Sequence, residues 1–159
     1  MLDYKTRELF ETTFTRLRWL AIAMLGSLFI VAVVVEIIHW FVPFTGFAGD
    51  DSFSSPFVYV LLVTGLADLL FLPFFRRGFL AERPGATPAN LISRMRVITI
   101  LSLAVAQAPA ILGIVIFLML GVRWAFYVLW GGALVAMLAY FPRQMFWEEW
   151  VEGGGRMEV

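Results

Sequence analysis

The chain has 159 residues, is 61% hydrophobic, and contains sixteen phenylalanines and six tryptophans but only 24 charged side chains. Soluble domains are usually about 45–50% apolar, so this composition argues against a water-soluble fold and indicates lipid as the surrounding solvent. The net charge of zero gives no general attraction for nucleic acid, and the lack of cysteine excludes disulfides, thiolate metal sites and cysteine nucleophiles.

The N-terminal segment is amphipathic, with Leu9, Phe10, Phe14 and Leu17 on one helical face. Such a pattern is typical of a helix that lies in the membrane interface. The alternative is that the segment extends the first span as one continuous helix.

Four apolar runs are long enough to cross a bilayer, which needs about 20 apolar residues. They cover residues 19–42, 57–75, 97–120 and 124–141. The first run is longer than the apolar part of a secretory signal, so we expect it to be retained as a span.

These runs are continuous, which favours helices over the alternating strands of a membrane barrel. Residues 121–123 are too short a connection for anything but antiparallel neighbours. Thr87-Pro88, a capping residue followed by proline, allows the third helix to begin before residue 97. We therefore predict one all-α membrane domain over residues 1–159, an antiparallel bundle of four transmembrane helices with amphipathic N- and C-terminal interfacial segments.

The C-terminal segment resembles the N-terminal one in its pattern. Its apolar side chains cluster on one side and three glutamates lie on the other; the apolar ones are Phe146, Trp147, Trp150 and Val151. We expect this segment also to lie in the membrane interface.

Basic residues are distributed unevenly between the two ends of the spans. Four precede the first span, five lie in residues 76–96 and two follow the fourth span, whereas Arg123 alone falls on the other side. Because cytoplasmic loops are enriched in Lys and Arg, we predict a multi-pass protein of the inner (cytoplasmic) cell membrane with both termini in the cytoplasm.

Two polar residues lie deep inside the predicted spans, Asp68 in the second and Gln107 in the third. Their depths are similar, so the two side chains could meet between helices. Such a pair could simply join the helices, or it could form a proton or cation site.

Glu36 and His39 lie near the outer end of the first span, three residues apart and therefore on one helical face. They could satisfy each other at the interface, or serve a membrane enzyme or a quinone site. The single histidine excludes a bis-histidine haem within one chain, and we expect no metal and no cofactor.

Small residues recur at four-residue spacing in the last two spans, at Ala104/Ala108, Ala106/Ala110 and Gly132/Ala136. Together with Gly113, they predict close packing between helices, because small side chains let two backbones approach.

The segment Ala106 to Val115, with the sequence AQAPAILGIV, resembles the carboxylate-bearing helix of rotary ATPase proteolipids. Gln107 stands where that family has its essential acid, and the predicted topology is the reverse of the bacterial proteolipid hairpin. Both departures argue against an ion-carrying rotor.

The sequence thus favours a non-enzymatic accessory, assembly or scaffold subunit of a membrane complex. Its expected partners are the lipid bilayer and either other membrane subunits or a second copy, not nucleic acid. The alternatives are a proton- or cation-conducting element that uses Asp68 and Gln107, and a membrane enzyme or quinone-site subunit that uses Glu36 and His39.

Overall fold

The structure, a computed structural model, describes residues 4–42, 44–47, 54–80 and 87–153. All regular secondary structure in these ranges is helical, which confirms the all-α class. The five helices are α1 (Tyr4–Phe41), α2 (Ser54–Leu80), α3 (Pro88–Leu120), α4 (Arg123–Ala139) and α5 (Gln144–Glu152).

The ends of α3 follow from local chemistry. Thr87 has extended backbone and Pro88 occupies the first helical turn, where its missing N–H and fixed φ are tolerated. The helix ends at Gly121, whose φ of 70° is left-handed and whose N–H donates to the Phe117 carbonyl. The early start that Thr87-Pro88 allowed is therefore confirmed.

Helices α1, α2 and α3 are each long and apolar enough to cross a membrane. Helix α4 has 17 residues and a length of about 26 Å, somewhat shorter than a typical hydrocarbon core. It meets the length and hydropathy requirement together with α5, from which it is separated by a bend of 51°. The fold is that of a small multi-pass membrane protein with three or four spans.

The long helices are not arranged as a ring. Helices α3 and α4 form a central antiparallel pair, and α1 and α2 each pack against both of them. Among the described residues, α1 and α2 make no extensive contact with each other although they are consecutive in the chain. A strip of α3 therefore remains uncovered between them.

One end of the molecule gathers the start of α1, the start of α3 and the whole of α5. We call it the arginine-rich end, because eight arginines of the described chain lie towards it: Arg7, Arg16, Arg18, Arg76, Arg77, Arg94, Arg96 and Arg143. Its buried core consists of Phe10, Phe14, Leu17, Leu91, Ile92, Met95, Ile98, Trp147, Trp150 and Val151.

This core corrects the prediction of two segments whose apolar sides lie in the membrane interface. Helix α1 runs unbroken from Tyr4, so its amphipathic start is an extension of the first span. The apolar side of that extension and the apolar side of α5 are buried against protein. The physical reason is that α1 and α3 both continue beyond the bilayer thickness, which provides an apolar surface for α5.

At the opposite end, the connection after α1 crosses the turn between α3 and α4. Gly46 has a φ of 91°, and a Cβ on it would lie 2.6 Å from the Leu120 carbonyl carbon. A Cβ on Gly121 would lie 2.8 Å from the carbonyl carbon of Thr45. The Phe47 N–H donates to the Leu118 carbonyl at 3.0 Å, which fixes the two backbones together.

Small residues do bring the spans together, but not at every predicted position. A Cβ on Gly113 would lie 3.2 Å from the Phe126 carbonyl oxygen, and one on Gly132 would lie 2.6 Å from Leu69 Cδ1. Ala136 is half-buried beside the core shared by the four long helices.

The Ala104/Ala108 pair differs from its prediction. Ala104 is exposed and Ala108 is half-buried, whereas Ala106 and Ala110 are buried. Residues four apart share one face of a helix. Within a single chain, the face of α3 that carries Ala106 and Ala110 points to the central core.

Candidate functional site

Glu36 on α1 is the centre of a polar cluster at the end opposite the arginines. Its Oε1 accepts a hydrogen bond from Arg123 Nη2 at 2.9 Å and another from the Tyr127 hydroxyl. Its Oε2 accepts a third from Trp40 Nε1 at 3.1 Å. Arg123 and Tyr127 are four residues apart at the start of α4 and so share one face, directed at α1.

The predicted Glu36–His39 pair is not formed. His39 is exposed, and among the described residues it makes no hydrogen bond to Glu36. Trp40, one residue further along the helix, lies over Glu36 instead, because four residues complete the helical turn more closely than three. No group of three or more His, Cys, Asp or Glu side chains within the described chain could hold a metal ion.

An open groove of about 340 Å³ lies beside this cluster, between α1 and α4. Its lining is almost entirely apolar and consists of Phe29, Ala32, Val33, Glu36, Ile37, Trp40, Phe41, Tyr127 and Trp130. Trp130 forms one side of the groove and donates its indole N–H to the Leu28 carbonyl at 2.9 Å. The groove can accept an apolar chain, with polar groups only where Glu36 and Tyr127 border it.

A second polar locus lies near the middle of the spans. Gln107 Nε2 donates to Ser27 Oγ at 2.9 Å, and the Ser27 hydroxyl donates to the Met24 carbonyl at 2.7 Å. The first of these bonds joins α3 to α1, and the second lies within α1. The predicted pairing of Gln107 with Asp68 is therefore replaced by one with Ser27.

Asp68 is half-buried and, among the described residues, has no hydrogen bond or ion-pair partner. It lies eight residues before Arg76, a distance of about 12 Å along α2. Asp68 therefore lies deep in the span, but its side chain does not meet Gln107.

The side of α2 on which Asp68 lies follows from its neighbours on that helix. Leu69 faces α4, where its side chain fills the space above Gly132. Gly65 faces both α3 and α4, and at about 100° per residue Leu69 lies about 40° to one side of Gly65 and Asp68 about 60° to the other. Asp68 therefore lies on the flank of α2 that is nearer α3. Gln107 is turned towards α1, on the far side of the exposed strip of α3.

A third set of contacts holds α5 at the arginine-rich end. The Arg76 guanidinium lies 5.2 Å from the Tyr140 ring centroid, 5.0 Å from that of Phe146 and 5.9 Å from that of Trp147. All three distances are within the range of cation–π attraction. Arg76 thus links the end of α2 to the end of α4 and to α5.

Sequence reasoning identified Glu36 and Gln107 but missed their partners Arg123, Tyr127 and Ser27. One signal was available for Arg123. It is the single basic residue predicted at the end of the spans where Glu36 also lies, and opposite charges in low dielectric attract strongly. Ser27 carried no such signal, since serine is common in transmembrane helices.

Comparison with protein-family models, with curated proteins and with solved structures gives no match. The resemblance to the proteolipid helix therefore remains limited to its ten residues and identifies no family.

Proposed function

We propose that the chain is a non-enzymatic accessory or scaffold subunit that works by lateral association within a membrane. The observation that carries this proposal is Asp68, a mid-span carboxyl group with no partner in the described chain. An unpaired acid at the centre of a transmembrane helix costs about 2.5–3.5 kcal/mol on insertion scales, so a partner from outside the chain would relieve a substantial penalty.

The other polar groups in the spans support the same reading. Glu36 joins α1 to α4, and Gln107 joins α3 to α1. A carboxylate that accepts three hydrogen bonds has little capacity left to act as a general base. These residues are used to fix helices relative to one another.

The proposed orientation places the arginine-rich end in the cytoplasm of a bacterial-type cell, in the inner membrane. The support is the positive-inside rule together with the gathering of the basic residues at one end. Reporter fusions after Val159 and between α1 and α2 provide the measurement. A periplasmic signal from the C-terminal fusion would reverse the orientation.

Extraction of the tagged chain into polymer-bounded native lipid discs tests the accessory role. We expect wild type to run in an assembly larger than one chain, and Asp68→Leu to shift it towards the single chain. Val135→Leu, an exposed change on α4, is the matched control and should leave the assembly unchanged. The proposal would be contradicted if the discs contain a single chain both for wild type and for Asp68→Leu.

A proton- or cation-conducting element is the second candidate, favoured by the same unpartnered Asp68. Purified protein in sealed vesicles with an internal pH dye separates the two functions. The accessory role predicts proton flux equal to that of empty vesicles. Flux that Asp68→Asn abolishes, with folding retained, would establish conduction instead.

A quinone-site subunit is a third candidate, favoured by the apolar groove beside Glu36. His39 does not contribute to the lining of this groove. The polar residues proposed for a quinone site are therefore Glu36 and Tyr127, and not Glu36 and His39. Quenching of tryptophan fluorescence by a short-chain quinone, saturable and lost in Tyr127→Phe, would favour this role over the accessory one.

A further inference from the structure

The uncovered strip of α3 between α1 and α2 has a specific composition. Its residues lie on the side of α3 that faces away from the core; they are Ala104, Ala108, Ile111 and Val115. Ala104 and Ala108 are four apart, the spacing that lets two transmembrane helices approach closely. We call this surface, with the α1 and α2 residues that border it, the α1–α2 face.

The two borders of the α1–α2 face differ in chemistry. Along α1 the border carries the Gln107–Ser27 pair at the seam with α3. Along α2 it carries Asp68 and, one turn earlier, Thr64, which is exposed and donates to the Val60 carbonyl. One border therefore offers an amide, and the other offers a carboxyl group with no partner among the described residues.

These two borders lie at one depth in the membrane. A Cβ on Gly65 would lie 3.5 Å from Leu112 Cδ1, which places those two residues level with each other. Helices α2 and α3 are antiparallel, so Asp68, three residues after Gly65, is nearly level with Ala108. Gln107 is the residue before Ala108 and occupies the same layer.

We propose that two copies of this chain associate through the α1–α2 face about a twofold axis parallel to the membrane normal. This inference rests on the proposed accessory function and names the partner. A twofold axis of this direction keeps depth unchanged and exchanges the two borders of a face. Asp68 of each copy then meets the Gln107 border of the other, so the contact is made twice.

The groups at these borders are complementary. Gln107 uses one amide hydrogen on Ser27, and within the part of the chain that the structure describes its second amide hydrogen and its carbonyl oxygen make no hydrogen bond. A carboxyl group can accept from that hydrogen or, as the acid, donate to that oxygen. The alanines between the borders bring the two α3 helices close enough for both contacts to form.

A second copy fits this surface better than an unrelated helix. An unrelated partner would need one donor for Asp68 and would leave the amide on the other border without a role. Self-association uses both borders of the same surface, in the same layer, with no further residue. The exposed position of Ala104, which the core of the single chain does not explain, is accounted for by the same contact.

Cysteine cross-linking in native membranes tests the proposal, and the lack of native cysteine makes single substitutions unambiguous. Ala104→Cys and Ile111→Cys should give disulfide-linked dimers under mild oxidation. Val135→Cys, exposed on α4, is the matched control and should give few. Dimer formation at Ala104→Cys should fall roughly five- to tenfold on adding Asp68→Leu, the effect expected for two interhelical hydrogen bonds.

Asp68→Asn should retain the cross-link, because an amide still pairs with the Gln107 amide, whereas Gln107→Leu should weaken it like Asp68→Leu. A cooperative thermal transition in detergent checks that each variant folds, with Gln107→Leu expected to melt slightly lower because it also loses the bond to Ser27. Equal cross-linking at Val135→Cys, or no response to Asp68→Leu, would overturn the dimer. A cross-link to a different protein would overturn it too but retain the accessory role, whereas Asp68-dependent proton flux without a cross-link would overturn both.

Discussion

Arg123, the first residue of α4, donates a hydrogen bond from its Nη2 to Glu36 Oε1 on α1 at 2.9 Å. The bond ties the last turns of one span to the first turn of another at the end opposite the arginines. It places Tyr127, one turn further along α4, within reach of the same carboxylate.

The first prediction concerns this connection. Glu36→Gln should lower the thermal midpoint in detergent, because the amide cannot pair with Arg123 and accept from Tyr127 and Trp40 together. His39→Gln is the matched control, since His39 is exposed one turn along the same helix. Equal midpoints for the two variants would show that the Glu36 cluster does not stabilise the fold.

The second prediction concerns Gly46 and Gly121, which both have positive φ and face each other's backbone. Alanine at either position should lower the free energy of unfolding by about 1–3 kcal/mol, through backbone strain and steric overlap. Gly26→Ala is the control, because it is helical and its added Cβ would have no neighbour within 4 Å. That change should be neutral or stabilising by about 0.5–1 kcal/mol. Denaturation in sodium dodecyl sulfate measures both, and a tolerated Gly121→Ala would refute the close approach.

The third prediction separates three glycines of the central pair. Gly113→Ala should destabilise, because the new Cβ would press on the Phe126 backbone, which cannot turn aside. Gly132→Ala should be milder, since the atom in its way is the end of the flexible Leu69 side chain. Gly131→Ala, with open space around it, should have no unfavourable contact. Thermal midpoints in that order, with Gly113→Ala lowest, are the expected result.

The fourth prediction concerns the contacts of Arg76 with three rings. Arg76→Gln should lower the free energy of unfolding by about 1–2 kcal/mol and loosen α5, because the cation–π attraction is lost. Arg77→Gln removes the same charge from the exposed neighbouring position and should have little effect. Protease cleavage between α4 and α5, compared for the two variants, reports the docking of α5. Equal cleavage rates would argue against a role for the rings.

The fifth prediction concerns buried hydroxyls. The Thr99 and Ser102 hydroxyls are buried and have no hydrogen-bond partner among the described residues. Ser102→Ala and Thr99→Val should therefore be neutral or stabilising by up to about 1 kcal/mol. Ser27→Ala is the contrasting change, since that hydroxyl accepts from Gln107, and it should destabilise by about 1 kcal/mol. A large loss of stability in Ser102→Ala would reveal a partner for that hydroxyl.

Much of the architecture could be read from the chain alone. Hydropathy is a local property, so uninterrupted apolar runs indicate helices that cross a membrane whatever they pack against. Proline acts on its own backbone, and for this reason Thr87-Pro88 indicated the early start of α3, while its end was predicted only from the short connection at residues 121–123. The clustering of basic residues at one end could likewise be predicted, because it depends only on the order of the spans along the chain.

What the sequence could not decide was the rotation of each helix about its axis. Asp68 and Gln107 have similar depths, but about 100° of rotation per residue determines whether two such groups meet, and only packing fixes that angle. In the packed structure, Gln107 donates to Ser27, and Arg123 and Tyr127 donate to Glu36. Ala104 lies on the uncovered strip of α3. The sequence by itself determined which segments are helices long and apolar enough to cross a membrane, because length and hydropathy follow from local composition. The tertiary structure decided their partners, because contacts between helices far apart in the chain depend on how all the helices pack at once.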